Sequence, residues 1–203
     1  MSSRKIGVLI SGRGSNLQAL VEAAAAGTLG GEIAVVVSNV EAAAGLEKAR
    51  AVGIPAHFKD HRGRSREDFD RDVLALLAAH QVDLVCLAGF MRRLSSHFIE
   101  AYAGRILNVH PSLLPAFPGL EPQKQALAYG AKVSGATVHL VDEGHDSGPI
   151  LLHEAVKVEE DDTEETLAAR ILAVEHRLYP RAARMALLGL YRVEGRRVRL
   201  QQA

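Results

Sequence analysis

Arg4-Lys5-Ile6-Gly7-Val8-Leu9-Ile10-Ser11-Gly12-Arg13-Gly14-Ser15-Asn16-Leu17 decides the architecture of this chain. Arg4 to Ile10 is an apolar run that reads as a buried strand. Ser11 to Asn16 is a glycine-bearing turn, and an Ala/Leu-rich helix follows from about Leu17 to Ala26. A strand, a glycine turn and a helix start together make a phosphate cradle. Free N–H groups of the first helical turn aim at one anion, and the glycines let it approach closely. Gly12, Arg13, Gly14, Ser15 and Asn16 are therefore candidate phosphate ligands. The same residues also suit a plain strand–helix connection with Ser15 or Asn16 as N-cap. Two dinucleotide criteria fail. Leu17 holds the place of the third glycine of G-x-G-x-x-G, and the second strand, Ile33 to Val37, ends in Ser38-Asn39 rather than in a ribose-binding acid. A phosphomonoester fits better than NAD.

Outward from this unit the alternation continues. Helices are expected over Ala42 to Ala51, closed by Gly53, and from Ser65, as N-cap, to about His80. Strands are expected at Ile54 to Phe58, Asp83 to Ala88 and Arg105 to Val109, with a short helix from Ser95. His57 and His61 read as surface residues, since no carboxylate or cysteine spacing makes them a metal site. Arg66, in the first turn of its helix, opposes the helix dipole; it meets an anion or is simply solvated. The first 110 residues thus read as β-α-β-α-β-α-β-α-β. That pattern predicts an α/β, doubly wound, mainly parallel sheet with right-handed crossovers. Beyond Pro118 the rhythm changes: a helix over Glu121 to Gly130, strands at Ser134 to Val141 and Pro149 to Val158 forming an antiparallel C-terminal extension, and a long helix from about Thr163. Pro180 is expected to kink or divide that helix. Tyr191 to Leu200, turning at Glu194-Gly195, reads as a terminal hairpin whose arginines protect a solvated edge.

A second stretch carries the chemistry: Asn108-Val109-His110-Pro111-Ser112-Leu113-Leu114-Pro115. It follows the strand residues Ile106-Leu107. Strand residues alternate faces, so Asn108 and His110 point the same way at a strand's carboxyl end. Pro111 has no N–H and stops the ladder. Ligands of open α/β sheets bind at this edge. An amide N–H beside a titratable ring suits a reaction that develops negative charge on oxygen. A ring satisfied by a nearby carbonyl, with Asn108 merely ending a strand, is the competing reading.

The bulk numbers narrow the class. The 203 residues fit one large domain, and 48% hydrophobic content builds a sizeable core. No apolar run is long enough to span a bilayer, and Met1-Ser2-Ser3-Arg4-Lys5 has no signal-peptide layout. The single cysteine, Cys86, sits in the apolar run Leu84-Val85-Cys86-Leu87 and reads as a buried small hydrophobe in a reducing, cytoplasmic protein. The net charge is zero, so neither nucleic acid nor a membrane surface is indicated as partner. Any anion must be met by local arginines or backbone N–H groups.

Four stretches, in order, carry a family resemblance: Ser11 to Leu17, Ala88-Gly89-Phe90-Met91-Arg92, Asn108 to Pro115, and Asp142-Glu143-Gly144-His145-Asp146-Ser147-Gly148-Pro149. On these the chain resembles the phosphoribosylglycinamide formyltransferases, folate-dependent enzymes of purine synthesis. The resemblance implies a Rossmann-like formyltransferase fold over residues 1–203, with a nucleotide phosphate-binding part to about residue 105 and a folate-binding and catalytic part from about 106. It implies two small-molecule substrates, 10-formyltetrahydrofolate and glycinamide ribonucleotide, no metal, and a monomer or homodimer. By the same resemblance Asn108, His110 and Asp146 form the catalytic trio. Gly12, Arg13, Gly14, Ser15 and Asn16 hold the ribonucleotide phosphate, with Arg66 and Glu175 as further contacts. Met91, Arg92, Leu94, Asn108, Val141, Asp142, Glu143 and Asp146 form the folate pocket. Arg13 stands where some members have Asn, and Glu121 where many have His. The alternatives are a formyltetrahydrofolate hydrolase, whose relatives usually carry an N-terminal regulatory domain whereas this chain begins at its first strand, and a non-catalytic nucleotide-binding module.

Overall fold

The computed structural model describes residues 3–201. Met1 and Ser2, the start of the segment read as lacking a leader, lie outside the described residues, as do Gln202 and Ala203. The chain runs β1 (Lys5–Ile10), α1 (Ser15–Ala25), β2 (Glu32–Ser38), α2 (Ala44–Ala51), β3 (Ala56–Phe58), α3 (Arg66–Ala79), β4 (Leu84–Leu87), α4 (Ser96–Ala101) and β5 (Ile106–His110). It then continues through α5 (Pro122–Tyr129), β6 (Val133–Leu140), β7 (Ile150–Lys157), α6 (Glu164–Leu188), β8 (Tyr191–Glu194) and β9 (Arg197–Leu200). A seven-stranded sheet has the order β3-β2-β1-β4-β5-β6-β7, and β8-β9 form a separate two-stranded sheet. β1 to β5 pair in parallel, while β6 runs antiparallel to both β5 and β7. The expected mainly parallel sheet with an antiparallel extension is the one found.

Strand alternation builds two cores from one sheet. Ile6, Val8 and Ile10 of β1 face the layer of α1, α2 and α6, where they meet Leu17, Leu20 and Leu46. Leu9 faces the opposite layer with Phe69, Val73 and Leu77 of α3 and Phe98 of α4. Gly7 belongs to that second face: a Cβ there would lie 2.5 Å from Leu77 Cδ2, so its absence lets α3 seat. Each fully buried Leu or Phe in these layers contributes about 1.5–3 kcal/mol. Tyr179 of α6 is fully buried, and its hydroxyl reaches the carbonyls of Leu87 (2.9 Å) and Leu107 (3.2 Å), fastening α6 across β4 and β5. Cys86 is buried as expected, and desolvation pushes its thiol up to about 12.

Three local expectations need correction. The N-cap of α1 is Gly14, not Ser15 or Asn16. Its left-handed φ of 70° is the turn that α1 starts from, so Ser15 and Asn16 lie inside the first helical turn. α6 is not divided at Pro180 but runs for 25 residues through it. Tyr179, Ala182 and Ala183 are fully buried on either side, and this packing holds the helix despite the missing N–H. His57 and His61 are half-buried rather than on the surface. His61 Nδ1 lies 2.9 Å from the Asn39 carbonyl and its ring stands edge-on to Phe69. Ser65 caps α3 as read, accepting from the Asp68 N–H, and the Thr163 hydroxyl caps α6 in a reciprocal box with Thr166.

Candidate active site

The chain order reverses between β1 and β4, and both glycine-bearing loops that leave those strands stand at this switch point. They are laced together: the Ser11 N–H donates to the Gly89 carbonyl (3.0 Å), and the Met91 N–H to Ser11 Oγ (2.8 Å). Gly12, Arg13, Gly14, Ser15 and Asn16 line a cleft of about 230 Å³ here, closed by Ala88, Gly89 and Met91. α1 has no side-chain cap, so its first N–H groups remain available to an anion. Gly14 makes the turn possible twice over: besides its positive φ, a Cβ would sit 2.7 Å from Gly45 Cα. That close approach brings the start of α2 against the cradle, where the Gly45 N–H donates to the Gly12 carbonyl at 3.1 Å.

Asn16 links this cleft to α6. Its Nδ2 donates to Glu175 Oε2 at 2.7 Å, and both side chains are buried. Desolvation raises the Glu175 carboxyl to about 7 against the opposing hydrogen bond from Asn16. Asn16 Oδ1 is buried with no hydrogen-bond partner, an acceptor still to be satisfied. Arg66 is not brought to this group. It is exposed at the first residue of α3 and lines neither of the two clefts described.

The second cleft, of about 540 Å³, meets the first at Gly89 and Met91 and opens over the carboxyl ends of β4 and β5. Every residue read as part of a folate pocket lines it: Met91, Arg92, Leu94, Asn108, Val141, Asp142, Glu143 and Asp146. His110 lines it too. The Arg92 guanidinium lies 4.8 Å from the Phe69 ring centroid, a cation–π seat that fixes the wall of this cleft. Asp142 Oδ1 accepts from the Gly144 N–H (3.1 Å) and the Ser147 hydroxyl (2.7 Å), which folds the loop bearing Asp146.

Asp146 is the hub. Its Oδ2 accepts from the Gly119 N–H at 2.9 Å and lies 3.4 Å from His110 Nδ1 and 3.5 Å from His145 Nε2. Its Oδ1 lies 3.5 Å from Asn108 Nδ2 and 3.7 Å from His139 Nε2. The trio expected from the sequence is therefore assembled, with Asn108 and His110 on one face of β5. His110 Nε2 donates to the Phe117 carbonyl at 2.9 Å, so the competing reading of a carbonyl-satisfied ring is half right. The carbonyl holds one nitrogen and leaves Nδ1 on the carboxylate side. Phe117 (φ 53°), Glu121 (φ 52°) and Asp146 (φ 49°) all occupy the left-handed region without being glycine. Backbone strain of this kind costs about 1–3 kcal/mol per residue and gathers where geometry is over-determined.

Sequence reasoning missed Gly119 and His139. Gly119 (φ 82°) supplies the shortest contact to Asp146, and a Cβ there would meet His145 Nε2 at 3.3 Å. His139 is the cross-strand partner of Asn108 on β6. Its signal was present as a polar residue interrupting an apolar strand. Among the described residues no group of three or more His, Cys, Asp and Glu side chains is arranged to hold a metal ion. No helix among them is long and apolar enough to cross a membrane.

Comparison with known proteins points to the formyl transferases, a formyltetrahydrofolate deformylase from Pseudomonas syringae among them at 28% identity and a TM-score of 0.92. The formyl transferase family profile matches residues 4–183. Phosphoribosylglycinamide formyltransferase of Escherichia coli is 45% identical over 85% of this chain and 82% of its own. The trifunctional purine biosynthetic protein adenosine-3 of Drosophila melanogaster is 47% identical over 92% of this chain, which spans only 14% of that relative's length. The crystal structure of glycinamide ribonucleotide transformylase 1 from Symbiobacterium toebii superposes with a TM-score of 0.97 at 52% identity, covering 98% of this chain and 95% of that one. With the glycine cradle, the Asn108–His110 strand end and the Asp146 loop all placed around one pair of adjoining clefts, the chain belongs to the formyl transferase family, among the phosphoribosylglycinamide formyltransferases.

Proposed function

We propose that this protein transfers the formyl group of 10-formyltetrahydrofolate to the primary amine of glycinamide ribonucleotide, in the cytoplasm, as a step of purine biosynthesis. The observation that carries the reading is the Asp146 hub in the larger, mainly apolar cleft, which adjoins the smaller cleft of the glycine cradle at Gly89 and Met91. The cradle from Gly12 to Asn16 takes the ribonucleotide phosphate, with Arg13 as an added cation. The unsatisfied Asn16 Oδ1 accepts a donor of the same substrate, and Glu175 acts on it through Asn16. The larger cleft takes the folate, with Met91 and Leu94 against its ring and Arg92 toward its glutamate tail. Arg66 stands outside both clefts and is given no role in this reading. The nucleotide cradle thus comes from the N-terminal part and the catalytic trio from beyond residue 106, while Met91, Arg92 and Leu94 of the folate cleft and Glu175 behind Asn16 cross that division.

In the reaction the amine attacks the formyl carbon. A C–N bond forms, a tetrahedral oxyanion develops, and the bond to the folate nitrogen breaks as that nitrogen gains a proton. Asn108 Nδ2 and the Nδ1–H of a protonated His110 donate to the oxyanion. Asp146 Oδ2 faces that nitrogen at 3.4 Å and relays the amine's proton. Holding two substrates side by side supplies the orientation.

Asp146→Asn tests this directly. Turnover should fall by about 10²–10⁴-fold, the range of lost acid–base catalysis, while calorimetry still finds both ligands bound. Lost binding with turnover intact at saturation would make Asp146 a binding residue. Release of formate without any ribonucleotide would point to a hydrolase instead.

A further inference from the structure

His139 stands directly across β6 from Asn108 and is 2% exposed. Its two ring nitrogens have unlike surroundings. Nδ1 lies 2.9 Å from the carbonyl oxygen of Leu140, which only accepts, so Nδ1 carries a hydrogen. Nε2 lies 3.3 Å from Asn108 Nδ2, which only donates, while Asp146 Oδ1 stands 3.7 Å away, beyond hydrogen-bond distance. These two facts are jointly satisfied by one species: the neutral ring, protonated at Nδ1, with the Nε2 lone pair accepting from the amide. Burial acts in the same sense and holds this imidazole below the ordinary histidine value, with His110 adding to that and the Leu140 carbonyl, Asp146 and Asp142 opposing it.

We infer that His139 is a positioning residue that holds the Asn108 amide through its unprotonated Nε2, so that the second hydrogen of Nδ2 faces the cleft. An amide has two faces of similar shape and opposite polarity. Turned over, Asn108 would offer an oxygen lone pair where negative charge develops. The acceptor on β6 prevents that, because the flipped amide would set its own oxygen against the Nε2 lone pair. The remaining Nδ2 hydrogen is held only by the long 3.5 Å contact to Asp146 Oδ1 and can pass to a substrate oxygen. This inference rests on the reading of Asn108 as a donor to the oxyanion.

The test pairs two substitutions. His139→Gln keeps an acceptor near the place of Nε2, and His139→Met keeps the volume without it. His139→Met should lower kcat by about 10- to 100-fold with the KM of both substrates within about threefold, as expected for a misaligned group rather than lost binding. His139→Gln should recover most of that rate. Equal rates in the two variants, or a folded His139→Met at wild-type kcat, would overturn the inference. A measurement on the unmodified protein guards against a variant that fails to fold. Nitrogen-15 spectra of the His139 ring at neutral pH should report the neutral, Nδ1-protonated tautomer, and an imidazolium or the Nε2-protonated tautomer would overturn the inference as well. Asn108→Ala separates the two levels. If it keeps full turnover, the catalytic reading itself falls and this inference with it; if it is inactive while His139→Met is normal, only this inference falls.

Discussion

Glu175 lies on the long helix α6, 5% exposed, with one amide hydrogen of Asn16 as its hydrogen-bond partner. One donor does not offset the desolvation of a carboxylate, and the group is raised from 4.5 to about 7. Because the folded protein holds this proton more tightly than the unfolded chain, folding stability falls as pH rises from about 4.5 to about 7, and is flat in this respect on either side. The loss is on the order of 3 kcal/mol. Glu175→Gln keeps an acceptor for Asn16 and removes the charge. It should leave stability nearly unchanged at low pH and raise it above neutrality, as denaturant titrations at several pH values would reveal. The buried His139 and the half-buried His57 and His176, all lowered chiefly by desolvation, give an opposite slope, but equally in both proteins, so the difference between the two isolates Glu175. No gain above pH 7 would mean that the carboxylate is better solvated than its burial implies. The buried, unsatisfied Asn16 Oδ1 gives the same arrangement a purpose in binding, since a ligand donor would complete it.

At the scale of elements, the cradle depends on two glycines from different units. Gly14 and Gly45 touch backbone to backbone, so α1 and α2 begin against one another. Gly14→Ala forces a side chain onto a left-handed φ and into Gly45 Cα at 2.7 Å. It should destabilise by at least about 1–3 kcal/mol in thermal or chemical unfolding. Gly45→Ala meets chiefly the Ile10 Cδ1 methyl, at 2.5 Å, which can move. It should fold, with a raised KM for the ribonucleotide and an unchanged kcat. The reverse ranking of the two variants would mean that Gly45, not the turn, is the rigid part. Gly14 was legible in the sequence because a glycine after a strand is local punctuation. Gly45 was not, because its constraint comes from a residue 31 positions away in the chain. The same distinction runs through the molecule. Strands, helices and their order follow from apolar periodicity, and the N-cap Ser65 from its own neighbours. The unbroken course of α6 through Pro180 and the pairing of His139 with Asn108 depend on packing and register between segments distant in sequence. Asn108 and His110 were legible as neighbours on one face of a strand end, and Asp146 only through the family motif; that all three meet is a property of β5 and of the loop folded by Asp142.

Taken whole, the protein carries 24 basic and 24 acidic side chains, so no net charge draws an anionic substrate to it. Attraction must then be local, and on the proposed reading it falls, at the glycine cradle, to backbone N–H groups and to Arg13. Arg13 is exposed, and among the described residues it forms no ion pair, so its charge is uncommitted. An exposed cation acts over roughly 10 Å at 0.1 M salt and about 3 Å at 1 M. Backbone donors in the first turn of α1 act at contact and are screened far less. Arg13→Asn should therefore raise the KM for glycinamide ribonucleotide by roughly two- to fivefold at low ionic strength, the modest effect of an exposed charge. Its kcat and folate KM should not move. With added salt the wild-type KM should climb toward that of the variant, and the two curves should merge. Steady-state kinetics in a potassium chloride series would decide it. Parallel curves would assign Arg13 a direct, desolvated contact with the phosphate, and coincident curves at every salt concentration would leave anion recognition to the backbone of the glycine turn alone.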